Sequence, residues 1–267
     1  MDKPKMKEMK KTIILPALLM SGALLAGCSQ QEETAPQSGT VELNLRAETG
    51  FKTRAIDEAA YTNINNYTVK LVNKRTGATV NEAKYSDWDL AYQVDSNTEY
   101  IISASYGQEV AASYDQLLCY GEETFSVLPG TKKTISFTAK PRAAKVSVSY
   151  SSDFTSYYKD CEVGVKTQHM TSPEVINIEK KDQDLYLKAG ENENVELTFK
   201  VIDKQGNVVE AKGGVKTATV NPQTWLHVTV KPNVQQIEGG KFGITVIVND
   251  EVTEEVFDFN VPNDVFN

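Results

Sequence analysis

The chain has 267 residues, of which 28 are basic and 36 acidic, and its formal net charge is −8. An acidic balance argues against nucleic-acid binding and against electrostatic docking on anionic lipid, because both of those surfaces are themselves anionic. The length suffices for two domains of ordinary size.

The first 27 residues are typical of a bacterial secretory signal peptide. Five lysines lie in residues 1–11, and a broken apolar run follows over residues 12–26. That run is too short to cross a ~30 Å hydrocarbon core, which needs about 20 apolar residues. Residues 25–28 (LAGC) resemble the lipobox of bacterial lipoproteins. The resemblance implies cleavage between Gly27 and Cys28 and lipidation of Cys28, which would anchor the protein durably. The alternative is an ordinary signal peptide followed by a chance cysteine.

Residues 28–39 are predicted to form a flexible tether, because they are polar and contain proline, glycine and serine. The acidic pair Glu32 and Glu33 resembles the surface-export signals of Bacteroidales-type lipoproteins. The resemblance implies an outer-membrane lipoprotein exposed at the cell surface. The alternative is that the pair belongs to a solvated spacer.

An all-β fold is predicted beyond the tether, beginning with an Ig-like or fimbrillin-like β-sandwich over residues 40–141. Apolar residues alternate with polar ones in short runs that end at turn residues. Alternation of this kind at regular spacing is typical of sandwiches. Single helical turns are predicted at 57–61 and 114–118. The predicted strands of this domain lie at 41–45, 67–71, 100–104, 125–127 and 135–137.

A second β-sandwich is predicted over residues 142–267. One alternating strand in each half ends in Thr-x-Lys-Pro, at Pro141 and at Pro232. Since proline cannot donate to a β-ladder, we place the boundary between the two domains directly after Pro141. A hairpin turn is predicted at 249–250. The predicted strands of the second domain lie at 146–150, 163–165, 195–201, 226–230, 244–248 and 256–261.

Two cysteines besides Cys28 occur in the chain, Cys119 and Cys161. Outside the cytoplasm two thiols could form a disulfide. These two fall in different predicted domains, and the sequence does not show whether they come within bonding distance. Paired and free states both stay open at this point.

Three segments of the chain, at 41–67, 143–148 and 226–233, resemble a Bacteroidales family of lipoproteins of unknown function. The most specific part is residues 50–55 (GFKTRA). The succession of lipobox, tether and two β-sandwiches also resembles the fimbrillins, the lipoprotein-derived subunits of Bacteroidales pili.

The fimbrillin resemblance implies that an arginine-specific protease cuts after an early arginine and that the first strand then leaves. A strand of another subunit would fill the opened groove, because an unpaired sheet edge accepts an added strand. Arg54 and Ala55 flank the bond where such a cut would fall. The alternative is that Arg54 is a solvated loop residue.

Catalytic and metal-binding motifs are weak, so we predict no enzyme, no metal and no cofactor. His169 and His227 do not form an HExxH motif. Ser156 and Lys159 match SxxK, but the SDN and KTG motifs that this chemistry requires do not follow. Two acidic pairs with a spacing of two are expected to share a strand face as surface groups: Asp87 with Asp89, and Asp182 with Asp184.

An aromatic cluster in the first domain suggests a ligand platform. Tyr85, Trp88 and Tyr92 lie in a segment with poor alternation, together with Asp87 and Asp89. Flat rings flanked by acids can stack on sugar faces and accept hydrogen bonds from hydroxyl groups. The alternative is that Trp88 is the core tryptophan of the first sandwich.

Two functions from different classes fit these predictions. The first is a structural or adhesive surface lipoprotein, a fimbrillin-like pilus subunit or anchor, whose partners are other pilin-like subunits. The second is a monomeric surface lipoprotein that binds a glycan or another ligand. Polymer formation distinguishes the two.

Overall fold

The computed structural model describes residues 37–50, 57–178, 183–238, 243–249 and 251–258. Several predicted features lie outside these residues: the signal peptide, Gly27 and Cys28, the Arg54–Ala55 bond, and Asp182. Among the described residues, no helix combines the length and the hydropathy that a membrane span requires.

Nearly all regular structure in the described chain is β-strand, which confirms the all-β fold class. Its first half contains helix α1 (Glu58–Thr62), 3₁₀ helices at Ile64–Asn66 and Tyr85–Asp87, and the strands β1 (Ser38–Ala47), β2 (Thr68–Asn73), β3 (Thr79–Lys84), β4 (Tyr92–Asp95), β5 (Glu99–Gly107), β6 (Ala112–Ser113), β7 (Leu118–Ser126) and β8 (Lys132–Pro141). Its second half contains the short helices α2 (Phe154–Tyr157) and α3 (Val234–Glu238) and the strands β9 (Ala143–Tyr150), β10 (Asp160–Lys166), β11 (Ile176–Asn177), β12 (Leu185–Lys188), β13 (Glu193–Ile202), β14 (Val208–Val220), β15 (Trp225–Pro232), β16 (Gly243–Val248) and β17 (Glu251–Asp258).

The predicted strands overlap eleven observed ones: β1, β2, β5, β7, β8, β9, β10, β13, β15, β16 and β17. The helical turn predicted at 57–61 is confirmed by α1, whose first turn is capped by the Asp57 side chain accepting from Ala60 N at 3.2 Å. The helical turn predicted at 114–118 is wrong, because this segment forms bends and then enters β7. The tether prediction ends too late, because β1 already begins at Ser38.

One seven-stranded sheet surrounds the first core, in the order β3-β2-β5-β7-β8-β1-β4. In the described chain, β7 and β8 pair at two positions, Cys119 with Pro141 and Tyr120 with Lys140. Buried side chains from the strands on both sides of this short junction form one hydrophobic cluster.

Two sheets enclose the second core. The four-stranded sheet has the order β11-β10-β13-β14, and the six-stranded sheet has the order β17-β16-β15-β9-β12-β6. Strict alternation in β13 and β15 buries every second side chain between the sheets, as expected for strands with one solvated face. These side chains form a second hydrophobic cluster.

The two halves share one pairing motif. In the first half, β1 lies between antiparallel β4 and parallel β8. In the second half, β9 lies between antiparallel β12 and parallel β15. The Thr-x-Lys-Pro sequences therefore end equivalent strands, β8 and β15, and the weak sequence repeat corresponds to a repeated topology.

Elements of each half also reach into the other. Strand β6 pairs with β12 through Ser113 opposite Tyr186 and Ala112 opposite Leu187. The Tyr186 ring and Ala143 are buried in the cluster of the first half. Residues on each side of the predicted boundary at 141/142 therefore pair or pack with the other half.

Candidate functional site

Strand β1 is the element that the fimbrillin resemblance implies would leave after cleavage. Its inward residues Val41, Leu43 and Leu45 are all buried in the first core. Residues 40–47 pair in parallel with β8, whereas antiparallel pairing with β4 covers Ser38–Val41. Past Val41 the β4 side of the strand therefore lacks a ladder to β4. There the Tyr85 hydroxyl donates to the Leu43 carbonyl at 3.4 Å.

The outer face of β1 carries one ion pair with β8. Glu42 accepts hydrogen bonds from Lys132 and from the Thr134 hydroxyl. The Lys132 ammonium holds the pKa of the Glu42 carboxyl below its usual value. Because this pair is solvent-exposed, side-chain burial in the core contributes most of what holds β1 in place.

The chain after β1 leads towards the predicted maturation site. Gly50 has φ +67°, a left-handed conformation that favours glycine, and a Cβ built on it would lie 3.5 Å from the Gln223 side chain. The next described residue is Asp57, the cap of α1. The Arg54–Ala55 bond therefore belongs to the connection between β1 and α1, outside the described residues.

The predicted aromatic platform is wrong in its central residue. Trp88 is 5% exposed and packs in the first core, with its ring centroid 5.4 Å from that of Tyr92. Its indole Nε1 is buried without a hydrogen-bond partner in the described structure. The sequence alternative, a core tryptophan, is the one observed. The acids beside it do not share a strand face, because Asp87 ends a 3₁₀ helix and Asp89 caps a turn by accepting from Ala91 N at 2.9 Å.

A different aromatic surface lies on the outer face of the six-stranded sheet. We define the Trp225 face by the outward side chains of two neighbouring strands. Trp225 is one of the two tryptophans in the chain, and it is 50% exposed. The apolar residues that alternate with the outward positions of β15 point inward and are buried. The six members of the Trp225 face are Lys145, Ser147 and Ser149 of β9 and Trp225, His227 and Thr229 of β15.

The Trp225 ring is supported from below by a buried charge. Lys145 is 1% exposed, and its Nζ lies 3.7 Å from the ring centroid of Trp225. The same Nζ is 3.2 Å from Asp184 Oδ2. A buried ammonium is tolerated when it is paired, and a cation over an indole face is attracted by the ring quadrupole. Lys145 occupies one face of the ring, and the exposed 50% of Trp225 lies outside this contact.

A chain of hydrogen bonds continues from this ring along the sheet. Trp225 Nε1 donates to Ser147 Oγ at 2.8 Å, and Ser147 Oγ lies 2.7 Å from His227 Nδ1. His227 Nε2 lies 3.3 Å from Ser149 Oγ, which is 3.0 Å from Thr229 Oγ1. All groups are satisfied when Ser147 donates to Nδ1, Nε2 donates to Ser149, and Ser149 donates to Thr229. The opposite directions result from the other tautomer of His227, and in both cases Thr229 is the last hydroxyl of the row.

Neither Trp225 nor His227 is among the site residues that the sequence predicts. The signal that could have found them is the alternation of residues 225–230, in which Leu226 and Val228 occupy the inward positions. This alternation puts an indole, an imidazole and a hydroxyl on the solvated side.

His169, the other histidine, lies beside a polar cavity in the second half. Its Nε2 is 3.2 Å from Glu193 Oε2, which also accepts from Gln168 Nε2 at 2.9 Å. Glu193 is buried, and its Oε1 has no hydrogen-bond partner in the described structure. The adjoining cavity of about 280 Å³ is lined by residues 166–168, 192–194 and 196. Across the described ranges, no group of three or more His, Cys, Asp or Glu side chains is arranged to hold a metal.

The remaining sequence candidates are not brought together as a catalytic site. Ser156 lies inside the four-residue helix α2, Lys159 follows that helix, and both are exposed. Cys119 and Cys161 are free thiols, each buried, one in each core. The open question about their pairing is thereby answered in favour of the free state.

The comparison with protein families agrees with this architecture. The model of a domain of unknown function, DUF4493, matches residues 37–263, nearly all of the chain that follows the predicted tether. The chain belongs to the DUF4493 family. This confirms the resemblance to a family of unknown function. Among curated proteins, none matches this DUF4493 chain.

Several solved structures are similar to this DUF4493 chain. A "putative cell adhesion protein" from Bacteroides eggerthii is 12% identical, with 84% of this chain and 96% of that chain covered and a TM-score of 0.43. The fimbrial anchor protein Mfa2 from Porphyromonas gingivalis is 10% identical, with 84% and 100% covered and a TM-score of 0.40. "Putative polysaccharide binding proteins" from Bacteroides thetaiotaomicron are 11% identical, with 79% and 96% covered and a TM-score of 0.41.

Proposed function

We propose that the protein is a cell-surface lipoprotein of the outer membrane with a structural or adhesive role, as a fimbrillin-like pilus subunit or anchor. The lipobox ending at Cys28 supports membrane anchoring, and the polar residues after it support a tether. Its partners in this role are the membrane, through the lipid of the uncut chain, and other pilin-like subunits. The proposed units of the extracellular part are the two β-sandwiches over 40–141 and 142–267.

The observation that carries the proposal is the way β1 pairs and packs in the first sheet. This strand fills a slot between β8 and β4 and buries three aliphatic side chains, Val41, Leu43 and Leu45. Few backbone bonds hold its β4 side. A cut between Arg54 and Ala55 would leave β1 attached by non-covalent contacts alone. Its departure would open the backbone edge of β8 and an apolar groove, and an unpaired edge of this kind is satisfied by a donor strand.

The proposal is tested in the native envelope with an Arg54→Ala variant. The wild-type protein is expected to form a ladder of polymers on gels run without boiling, and its mature subunit should begin at Ala55. Arg54→Ala should keep the longer chain and lose the ladder, because β1 stays covalently attached. Arg75→Ala is the matched control, since Arg75 is an exposed turn residue.

Two further results decide the outcome. A Cys28→Ser variant is expected to lose labelled palmitate and to leave the membrane fraction. A wild-type protein that begins at Cys28 in the envelope, runs as a monomer without boiling and behaves like Arg54→Ala would overturn the proposed assembly role.

A further inference from the structure

We propose that the Trp225 face is a carbohydrate-binding site that takes a neutral pyranose stacked on the exposed side of the indole ring. This inference is independent of pilus assembly, because none of its residues belongs to β1 or to the segment that contains Arg54. It depends on four properties of the face: a ring held in place, a row of polar groups beside it, a small apolar surface and the absence of a net charge.

The Trp225 ring is held in a fixed position by its neighbours. An exposed tryptophan that is free to turn would lose side-chain entropy on binding, which weakens the affinity. Here the indole nitrogen is bonded to Ser147 at 2.8 Å, and Lys145 supports the ring from below at 3.7 Å. Movement of the ring would expose the Lys145 ammonium, which is otherwise 1% exposed and paired with Asp184. The stacking surface is therefore preorganised in the unbound protein.

The polar track next to the ring matches the other half of a sugar. A pyranose presents C–H bonds on its face and hydroxyl groups around its edge, so its site needs a flat apolar surface with donors and acceptors beside it. His227, Ser149 and Thr229 form a hydrogen-bonded row that starts at the ring and runs along the sheet. The Thr229 hydroxyl at its end can donate to a sugar oxygen.

The size of the apolar surface separates a sugar from a protein partner. A tryptophan buries about 150–250 Å² in total. A stable protein interface needs about 800 Å² on each side and an apolar centre with several anchors. The other outward side chains of the Trp225 face are polar, and Ile247 of β16, opposite Thr229, adds one partly exposed aliphatic side chain. This apolar surface is too small for a protein interface but similar in extent to one pyranose.

The charges of the face favour a neutral sugar. Lys145 and Asp184 form a salt bridge at 3.2 Å, and the other members of the face are hydroxyl groups, an imidazole and the indole. The whole chain carries a net charge of −8, which repels polyanions such as uronic-acid polymers.

The test uses the chain from residue 28 onward with Cys28→Ser, run on native gels that contain dextran, yeast mannan, xyloglucan or arabinoxylan, with hyaluronan as the anionic polymer. Retardation by at least one neutral polysaccharide is expected. Trp225→Ala should weaken that binding about tenfold or more, as for a central aromatic anchor. Leu128→Ala, which removes an exposed apolar side chain elsewhere, should leave it unchanged.

Two additional variants keep the test decisive should Trp225→Ala fold poorly. Trp225→Phe keeps an aromatic face and should retain most of the binding, and Thr229→Val keeps the shape but should weaken binding a few-fold through the lost hydroxyl. Fluorescence gives a direct readout, because Trp88 is buried and Trp225 is half exposed. Oligosaccharides from the retained polymer should protect the emission from acrylamide quenching.

Three results would overturn the inference. They are retardation by none of the four neutral polymers, retardation by hyaluronan alone, and equal retardation of Trp225→Ala and wild type.

Discussion

Two thiols buried in separate cores make the protein sensitive to alkali. Burial raises the pKa of Cys119 to about 11 and that of Cys161 to about 12. In the unfolded chain both would ionise near pH 8.5. Burial likewise raises the pKa of Tyr67 and of Tyr150. Above pH 8.5 the folded state therefore holds more protons than the unfolded state, and stability must fall as the pH rises.

We expect the Cys28→Ser protein to show no thiol that reacts with Ellman's reagent at pH 8 and two after denaturation. Its free energy of unfolding should fall as the pH rises above about 8, by about 1.4 kcal/mol per pH unit for each ionising thiol. Urea titrations at pH 8 and pH 10 measure this fall. A Cys119→Ala control should lose the part of the slope that belongs to Cys119. Fast labelling of the native protein would contradict the free, buried assignment.

At the scale of single elements, β1 carries the mechanism that we propose. A protein that starts at Ala55 lacks three buried aliphatic side chains, each worth about 1.5–3 kcal/mol. Domains are stable by about 5–15 kcal/mol, so this loss should lower the melting temperature strongly and promote association. The comparison is a Cys28→Ser protein that starts at residue 28, measured by calorimetry and by sedimentation.

A peptide with the sequence of residues 38–47 should restore the stability of the protein that starts at Ala55. The matched control peptide carries asparagine at Val41, Leu43 and Leu45, and it should have no effect because it cannot fill the apolar slot. Equal melting temperatures of the long and short proteins, with both monomeric, would show that β1 is dispensable.

The strands that the sequence predicts well are those with one buried face and one solvent-exposed face. Strands such as β1, β13 and β15 alternate, and their sequence gives their position within a few residues. Strand β3 escaped prediction because its side chains are exposed or half exposed on both faces, so no apolar period marks it. Strand β12 escaped for the opposite reason, because Leu185, Tyr186 and Leu187 are all buried.

The same reasoning explains the error over the aromatic residues. Trp88 stands among polar residues in sequence but is folded into the core by a 3₁₀ helix, which has no period-two signature. Trp225 begins a regularly alternating strand, and the alternation places its side chain on the outward face. Support from Lys145 and Asp184 could not be predicted, since it depends on contacts between distant strands.

At the scale of the whole molecule, the segment between β5 and β7 couples the two halves. Besides the pairing of β6 with β12, Lys188 Nζ bonds Glu109 Oε2 at 2.9 Å and Lys188 N donates to Ala111 O at 3.0 Å. Tyr186 lies in the core of the opposite half. We therefore expect the junction to resist proteolysis although Arg142 is exposed.

Limited trypsin digestion should cut wild-type protein near Arg54 first and after Arg142 last. Tyr186→Ala should advance the cut at Arg142, because truncation of a buried aromatic side chain costs about 3–5 kcal/mol and loosens the joint. Tyr157→Ala, a half-buried tyrosine near the second core, is the control. Mass spectrometry identifies the fragments. If Tyr186→Ala releases no fragments that correspond to residues 40–141 and 142–267 at any trypsin dose, the division into two units is wrong.

The repeated pairing motif has a consequence for valency. Both β1 and β9 lie between an antiparallel and a parallel neighbour, but their attachment to the chain differs. One cut after β1 would leave this strand joined to the tether alone. Strand β9 is joined to β8 through Arg142, so its release would need a break on each side of it. Under the proposed mechanism, the cut between Arg54 and Ala55 would open one acceptor slot in each copy. Head-to-tail growth from one acceptor gives an unbranched filament. Under the same proposal, a copy whose Arg54–Ala55 bond stays intact would have no open slot, so a single peptide bond would separate a growing subunit from a terminating one.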